Sequence, residues 1–416
     1  MSEFQELNGV LHVEDISLEA IADRYQTPCY VYSKQAVVNH WQAFADALPQ
    51  PHRAFYAVKA NSNLAVLQVL AEQGAGFDVV SGGEIARVLR AGGQATDIVF
   101  SGVAKSEAEI RYALEVGIGQ FNVESAAELQ RISAIAAQMQ CVARISLRVN
   151  PDVDAKTHPY IATGLEDNKF GIPMAEAVAT YQQATVLPNL EIVGADCHIG
   201  SQLTETQPFL DALERMLALV DELASLDIHI RHIDMGGGLG VTYQNEQPPA
   251  VAEYIQALLQ RLQAYPHIAL FLEPGRAIVA NAGVLLTRVE YLKSNGFKHF
   301  VMVDAGMNDL LRPSLYQAHH EIVNVRPGTA PTVTGDIVGP VCETGDFLGQ
   351  QREIAAQAGD LLAVKSAGAY GFVMSSNYNS RPRPPEVLVS GSDSYLVRAR
   401  ETMDDVWRGE TLVPKG

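Results

Sequence analysis

The chain has 416 residues, of which 47% are hydrophobic and 19% are charged, and its formal net charge is −18. This length exceeds one ordinary hydrophobic core and predicts two domains, with the composition of a soluble enzyme. The negative charge argues against nucleic acid or an anionic membrane as a partner. The net charge does not exclude a small anionic ligand, because a single site can be locally positive.

The N-terminal stretch and the cysteines indicate a cytoplasmic location. Residues 1–11 contain neither a basic region nor an apolar core of a secretory signal, so we expect no signal peptide. No uninterrupted apolar run is long enough to span a bilayer. The cysteines are scattered without metal-type spacing, which predicts free thiols in a reducing compartment and no metal site. They are Cys29, Cys141, Cys197 and Cys342.

From about residue 54, short apolar runs alternate with amphipathic segments. The runs predict eight strands, and the segments between them predict helices. This alternation favours a (β/α)8 TIM barrel, with a doubly wound open sheet as the alternative. The predicted strands are 54–59, 76–80, 97–101, 120–123, 143–149, 190–197, 230–235 and 268–272. The predicted helices are 64–73, 84–91, 107–116, 126–139, 174–184, 208–226 and 249–264.

After Gly283 the pattern changes to strands separated by proline and glycine turns, which predicts a C-terminal β-domain of the sandwich or barrel type. A strand at 28–32 could complete this β-domain from the N-terminus. The predicted strands after Gly283 are 284–292, 299–303, 321–325, 332–338, 360–365, 386–389 and 395–397.

The resulting domain prediction has three parts. An N-terminal segment, 1–35, joins the β-domain. A barrel occupies 36–280, and the β-domain occupies 281–416. Within the barrel, the long polar connection at 151–172 predicts a functional loop at the barrel mouth.

Unusual residues follow the predicted barrel strands, at the ends where barrel enzymes place their catalytic groups. These residues are Lys59, Ser81–Glu84, His198–Gln202, Gly236–Gly238 and Glu273–Arg276. A phosphate site in this fold typically lies after the seventh and eighth strands, and glycines there expose backbone N–H groups. A lysine on the first strand together with such a phosphate site predicts pyridoxal phosphate (PLP).

Three side chains near this site each have two interpretations. Burial would lower the pKa of Lys59 and give the free amine of Schiff-base chemistry, but a lysine at a strand end can also extend its ammonium to water. Glu273 could hold the ring nitrogen of PLP protonated, or it could pair with Arg276. His198 could lie flat on one face of the ring, or it could be a core histidine.

Motifs along nearly the whole chain, from Thr27 to Arg398, carry a resemblance to a known family. They are Tyr56–Asn61, Asp78–Glu84, Lys169–Ile172, His198–Gln202, Gly236–Gly238, Glu273–Arg276, Arg312–Tyr316, Gly339–Asp346 and Gly368–Gly371. Through them the chain resembles the PLP-dependent decarboxylases of the alanine racemase fold (fold type III), and most of all the diaminopimelate decarboxylases. The resemblance implies decarboxylation of meso-2,6-diaminopimelate to L-lysine and CO2, the last step of bacterial lysine synthesis.

The resemblance also implies the role of each site residue. Lys59 carries the cofactor as a Schiff base, His198 stacks on its ring, and Cys342 donates a proton after CO2 has left. Glu343 binds the distal amino group of the substrate. The implied cofactor-binding residues are Lys59, Asp78, His198, Ser201, Gly237, Gly238, Glu273, Gly275, Arg276 and Tyr370. The implied substrate-binding residues are Arg276, Arg312, Tyr316, Glu343 and Tyr370.

Two arginines suit a substrate with two carboxylates, because the planar guanidinium binds a carboxylate through two parallel hydrogen bonds. Outside a site, Arg312 would be a solvated surface charge, Tyr316 a core aromatic and Tyr370 an exposed loop aromatic. In the family, the loop with Cys342 enters the site of a second subunit, which implies a homodimer with shared sites.

Three other functions are weighed against this one. The nearest is a related decarboxylase acting on ornithine or arginine, for which a second carboxylate-binding arginine would be surplus. An amino-acid racemase would need a tyrosine base on the β-domain. A binding homologue without activity would have no use for Lys59, Glu273 and Cys342 together.

Overall fold

The computed structural model describes residues 4–153, 169–328 and 330–415. Residues 154–168, most of the predicted functional loop, lie outside this range. The chain divides into two compact units. One is Val38–Ile278, and the other is Met1–Val37 together with Val279–Gly416.

In the described residues, all the predicted strands and helices occur in the predicted order, together with elements that the sequence did not predict. The strands are β1 (Phe4–Leu7), β2 (Val10–Val13), β3 (Ile16–Ser17), β4 (Cys29–Ser33), β5 (Arg53–Ala57), β6 (Gly76–Val79), β7 (Ile98–Phe100), β8 (Gln120–Val123), β9 (Ala143–Asn150), β10 (Ile172–Pro173), β11 (Leu190–Asp196), β12 (His232–Asp234), β13 (Ala269–Leu272), β14 (Gly283–Ser294), β15 (His299–Val303), β16 (Ile322–Asn324), β17 (Thr332–Val338), β18 (Phe347–Ala355), β19 (Leu361–Val364), β20 (Glu386–Ser390) and β21 (Asp393–Arg398). The helices are α1 (Leu18–Tyr25), α2 (Lys34–Ala47), α3 (Leu64–Glu72), α4 (Gly82–Arg90), α5 (Glu107–Val116), α6 (Ala126–Gln138), α7 (Met174–Val186), α8 (Gln207–Ser225), α9 (Val251–Leu262), α10 (Arg276–Val279), α11 (Arg312–Tyr316) and α12 (Met403–Val406).

The first unit is a closed parallel β/α barrel, which confirms the predicted fold. Each of the strands β5–β9 and β11–β13 pairs with the next along the chain, and β13 pairs back onto β5. Several barrel helices begin at side-chain caps; Ser106, for example, forms a capping box with Glu109 at the start of α5. The strand predicted at 54–59 was too long, because β5 ends at Ala57 and Lys59 lies in a 3₁₀ turn, Val58–Ala60.

Side chains two residues apart on a strand share one face, so the barrel interior is filled in layers. The layer at the C-terminal ends of the strands is polar, in contrast to the aliphatic residues that usually fill such barrels. Every member of this polar layer is buried. Its members are Asp78, Ser101, Asn122, Arg148, Asp196, Asp234 and Glu273. Burying so many polar groups is costly unless they are paired or used.

The second unit is built on a β-sheet with the strand order β18-β17-β15-β14-β4-β20-β21. The N-terminal strand β4 pairs antiparallel with β14 and parallel with β20, so it completes the β-domain as predicted. Apolar residues of β4, β14 and β20 share one core with α1 and the small sheet β1-β2-β3. In the described parts of the chain, no helix combines the length and the apolar character needed to cross a membrane.

The sequence did not predict α1, α2, α10–α12, β1–β3, β10 or β18. The strand β18 pairs with β17 along most of its length, but its centre, Gln350–Glu353, is polar and largely exposed. This polar stretch hides the apolar alternation that indicates a strand.

Candidate active site

Lys59 forms an ion pair with Asp78 at the C-terminal ends of β5 and β6. The Asp78 side chain is fully buried, whereas the Lys59 side chain is 37% exposed. The second carboxylate oxygen of Asp78, Oδ1, has no hydrogen-bond partner among the described residues. A buried carboxylate therefore fixes the position of the Lys59 amine while one side of the lysine stays open to solvent.

Next to this pair lies a group of three buried carboxylates, from Asp196, Asp234 and Glu273. One oxygen of each lies within 4.8 Å of the other two. Burial, and then the negative charge of the neighbouring carboxylates, raises the pKa of each residue, for Asp234 to about 7. Carboxylates this close do not all ionise together at neutral pH, so they share protons or face a cation.

A buried arginine balances part of this negative charge. Arg148 on β9 donates to Glu124 at 2.8 Å and lies 3.9 Å from Asp196. Glu273 accepts longer hydrogen bonds from the hydroxyl of Ser101, at 3.4 Å, and the amide of Asn122, at 3.5 Å.

The sequence prediction named Asp78 and Glu273 but missed Arg148, Asp196 and Asp234. A signal was present, because Asp196 lies two residues before His198 and Asp234 two residues before Gly236. Projecting the alternate positions of each barrel strand onto one face would have placed all three in the same layer as Glu273.

The loops that follow β11, β12 and β13 approach one another closely. The N–H of Gly237 donates to Nδ1 of His198 at 3.2 Å. A Cβ atom on Gly237 would lie 2.3 Å from the carbonyl oxygen of Glu273, and one on Gly238 would lie 2.5 Å from that of Gly200. Gly238 also has φ of +113°, so only glycine fits both positions without strain.

His198 carries a neutral ring. Burial, reinforced by the positive charges of Arg148 and Lys59, lowers its pKa well below the usual value near 6.5. Because Nδ1 accepts the N–H of Gly237, the proton resides on Nε2.

Arg276 lies at the start of α10, directly after β13, and is buried. Its guanidinium donates to the hydroxyl of Tyr243 at 2.7 Å and to that of Ser201 at 3.0 Å. The interpretation of Arg276 as a partner for Glu273 is not supported by these bonds. Tyr243 was not predicted from the sequence.

The remaining predicted residues lie in the second unit. Arg312 begins α11 and Tyr316 ends it, so the two lie four residues apart on one helix face. Arg312 is buried, so its interpretation as a solvated surface charge is wrong. It donates to Nε2 of His320 at 2.8 Å, and Nδ1 of His320 in turn donates to the carbonyl oxygen of Lys365. His320, which was not predicted, therefore orients the guanidinium.

Cys342 and Glu343 lie in a loop whose base is fixed and whose side chains are exposed. The carboxylate of Asp346 accepts the N–H groups of Val341 and Met307, at 2.7 and 2.6 Å. The hydroxyl of Tyr378 lies 3.3 Å from Glu343.

Tyr370 lies between Ala369 and Gly371 in another loop of the second unit and is half-buried. Its φ of +55° is uncommon for a residue with a side chain. The interpretation of Tyr370 as an exposed loop aromatic therefore does not hold.

The barrel residues fit the chemical demands of PLP. Lys59 offers an amine, and the loops after β11–β13 offer a hydroxyl, backbone N–H groups and a guanidinium, which are the donors that bind phosphate. Asp196 and Asp234, like Asp78, each retain one buried carboxylate oxygen without a partner among the described residues. A protonated pyridine nitrogen is a cation that suits this acidic environment.

Comparison with known proteins also indicates a PLP-dependent enzyme. The family described as "Pyridoxal-dependent decarboxylase, pyridoxal binding domain" matches residues 34–280. The diaminopimelate decarboxylase of Pseudomonas fluorescens is 58% identical over 100% of both chains, and that of Vibrio cholerae is 56% identical over 98% of both.

Solved structures are also similar to this chain over nearly its whole length. The diaminopimelate decarboxylase of Helicobacter pylori complexed with L-lysine is 42% identical, with a TM-score of 0.91 over 94% of this chain and 98% of that chain. The enzyme of M. jannaschii in co-complex with L-lysine is 36% identical, with a TM-score of 0.93 over 99% and 98%.

The chain belongs to the diaminopimelate decarboxylase family. The predictions of a PLP-dependent carboxy-lyase and of the barrel with its β-domain are thereby confirmed. The alternatives, an ornithine or arginine decarboxylase and a racemase, are not favoured by these relatives.

We predict that Asp234→Asn stabilises the cofactor-free protein, and does so more at about pH 8 than at about pH 5. The pKa of Asp234 is raised from 3.8 to about 7. Its contribution to folding is therefore present below about pH 4 and is lost as the pH rises through about 7. An asparagine cannot ionise and avoids this loss. The measurement is the thermal unfolding midpoint at each pH.

The control for this prediction is Asp211→Asn, which changes an exposed aspartate on α8. It should leave the pH dependence of the midpoint unchanged. A cofactor-free Asp234→Asn protein that is no more stable than the unchanged chain at pH 8 would refute the raised pKa.

Proposed function

We propose that the protein uses PLP to convert meso-2,6-diaminopimelate into L-lysine and CO2. The observation that carries this proposal is the Lys59–Asp78 pair beside the buried carboxylates of the barrel. The related structures bound to L-lysine, the expected product, support it. When bound, PLP supplies an electron sink for the electron pair that the departing CO2 leaves behind.

In this proposal, Lys59 attaches the cofactor and Asp78 holds the lysine amine in position until attachment. Glu273 would accept a hydrogen bond from a protonated ring nitrogen. The neutral ring of His198 would lie against one face of the cofactor without adding a competing positive charge and would leave the other face for the substrate.

Four residues on consecutive loops are proposed to hold the phosphate. The side chain of Ser201 and the main-chain N–H groups of Gly238, Gly275 and Arg276 supply the donors, while Gly237 holds the His198 ring beside the cofactor through its N–H. The bond from Arg276 to Ser201 at 3.0 Å fixes the hydroxyl in place.

The second unit is proposed to supply the substrate-binding residues and the proton donor. Arg312, oriented by His320, binds a substrate carboxylate, and Tyr316 adds a hydroxyl. Glu343 binds the distal amino group, and the thiol of Cys342 returns a proton to the carbon that has lost CO2. A thiol can act as a general acid in such a step.

Arg276 is proposed to contact a substrate carboxylate through its side chain, and Tyr370 to assist both cofactor and substrate. We further propose a PLP-binding domain at 36–280 and a β-domain at 281–416 that the segment 1–35 joins. The working form is a cytoplasmic homodimer.

We expect the purified holoenzyme to release CO2 and form lysine from meso-diaminopimelate, with little activity on L-ornithine or L-arginine. Lys59→Ala should lower this activity by at least about 10²-fold, because it removes a positioned catalytic amine. A matched control is Lys298→Ala, which removes an amine that is 42% exposed and paired with the buried Asp336. The Lys298→Ala variant should remain active. Equal rates on ornithine, or an active Lys59→Ala variant, would contradict the proposed substrate or the role of Lys59.

A second prediction concerns the dimer. Cys342 and Glu343 are exposed in the single chain, which supports a loop that enters the site of a second subunit. Lys59→Ala and Cys342→Ala should each be nearly inactive. If sites are shared, a mixed dimer holds one site with both residues intact. Random reassociation makes about half of the dimers mixed, so roughly a quarter of the activity should return.

The control is a mixture of Lys59→Ala with Glu273→Gln, because both residues belong to the same barrel. No arrangement of those two chains restores an intact site, so this mixture should stay inactive. If subunit exchange is verified and the first mixture also stays inactive, Lys59 and Cys342 act from one chain and the shared-site proposal is wrong.

A further inference from the structure

The barrel has a cavity of about 410 Å³ at the end opposite Lys59. It opens among residues that precede the strands, including Pro51, Thr96 and Gly119. Its volume lies within the range of small-molecule pockets. None of the residues proposed for PLP or substrate lines it.

The cavity has an aromatic floor. Phe55 and Phe271 pack with their ring centroids 5.0 Å apart, and both line the cavity. A Cβ atom on Gly76 would lie 2.5 Å from a ring carbon of Phe55, so this glycine makes room for the phenylalanine. The floor therefore offers an apolar surface for a flat or aliphatic group.

The polar side chain of His232 lies in this floor. It is 4% exposed, and its ring stacks on Phe271 at 4.1 Å. Its Nε2 is buried and has no hydrogen-bond partner among the described residues. A Cβ atom on Gly194 would lie 2.2 Å from this nitrogen, so the adjacent strand has no side chain there.

The folding free energy that is lost by burying this unpaired nitrogen indicates a role for it. Burial, together with the charge of Arg231, lowers the pKa of His232 to about 3, so the ring is neutral at physiological pH. A buried polar atom without a partner destabilises the folded chain. The nitrogen is closed off from solvent, so a ligand with a hydroxyl or carbonyl group would supply the missing hydrogen bond after a small shift of the floor at His232.

Three arginines surround the opening of the cavity. Arg53 donates to Asp97 at 2.7 Å. Arg144 and Arg231 both donate to Glu191, at 3.2 and 2.5 Å. Three guanidinium groups thus face two carboxylates, so the rim carries one net positive charge on a strongly acidic chain. Each guanidinium has five N–H donors, which is more than these contacts require.

We propose that this cavity binds a small organic carboxylate with an apolar body and a second polar group. The carboxylate lies at the arginine rim, the body packs on Phe55 and Phe271, and the second polar group hydrogen-bonds to His232. One negative charge matches the net charge of the rim. The site is separate from the one proposed for PLP and does not depend on it.

The test is calorimetric titration of the holoenzyme with 4-hydroxybenzoate, with 4-hydroxybenzamide as the uncharged probe and benzoate as the probe without a hydroxyl. We expect saturable binding of 4-hydroxybenzoate with a Kd of about 1 mM or tighter, as suits a ligand of this size. The uncharged amide should bind at least about tenfold more weakly, because it lacks the charge-assisted hydrogen bonds.

Variants locate the bound probe. The double change Arg144→Gln with Arg231→Gln should weaken the binding of 4-hydroxybenzoate by about tenfold or more. Arg111→Gln, which removes an exposed arginine paired with Glu107 on α5, should not. His232→Phe keeps an aromatic ring and should reduce the affinity for 4-hydroxybenzoate to that for benzoate.

Three results would overturn the proposal. They are the absence of saturable binding, equal binding of the uncharged amide, and binding that survives the double arginine change. The last would place the carboxylate elsewhere, for example among the proposed substrate-binding arginines.

Discussion

The arrangement of the site depends on one electrostatic constraint, the burial of several carboxylates in the C-terminal layer of the barrel. Asp78, Asp196, Asp234 and Glu273 are all at least nine-tenths buried. Isolated charges in such a place cost several kcal/mol each, so the layer needs compensating cations. Within the barrel, Lys59 and Arg148 contact it directly. A protonated ring nitrogen would add a third cation, and the acidic layer would in turn keep that nitrogen protonated.

The second constraint is the close approach of three loops around this layer. Gly237 and Gly238 bring the loop after β12 against the loops after β13 and β11, at separations that admit no Cβ atom. As a result, backbone N–H groups face the region where His198 and Ser201 also lie. The loops thereby gather the proposed phosphate donors from residues far apart in the sequence, while the barrel strands hold the carboxylates below them.

Sequence patterns predicted the barrel and β-domain well, because each barrel strand is an apolar run bounded by an amphipathic helix. They failed at β18, whose polar centre faces solvent, and at the end of β5, where the apolar run continues past the strand into a 3₁₀ turn. Boundaries of this kind depend on backbone hydrogen bonds that composition does not reveal.

For the site, the barrel residues predicted from the sequence stand at strand ends or beside glycines, as Lys59 and Glu273 do. Asp234 and Arg148 were missed because each sits inside an apolar run, where a charged residue is read as part of the strand. His320 and Tyr243 were missed for a different reason. They orient arginines through tertiary contacts that join segments distant in the sequence or in different loops.

The most direct measurement is the protonation state of the ring nitrogen, observed by NMR of holoenzyme loaded with ¹⁵N-labelled PLP. We expect a protonated nitrogen in the unchanged protein and a neutral one in Glu273→Gln, because an amide cannot stabilise the positive charge. Glu253→Gln, which changes an exposed glutamate on α9, should keep the nitrogen protonated. The same ¹⁵N chemical shift in the unchanged protein and in Glu273→Gln would show that the buried carboxylates do not control the charge of the cofactor.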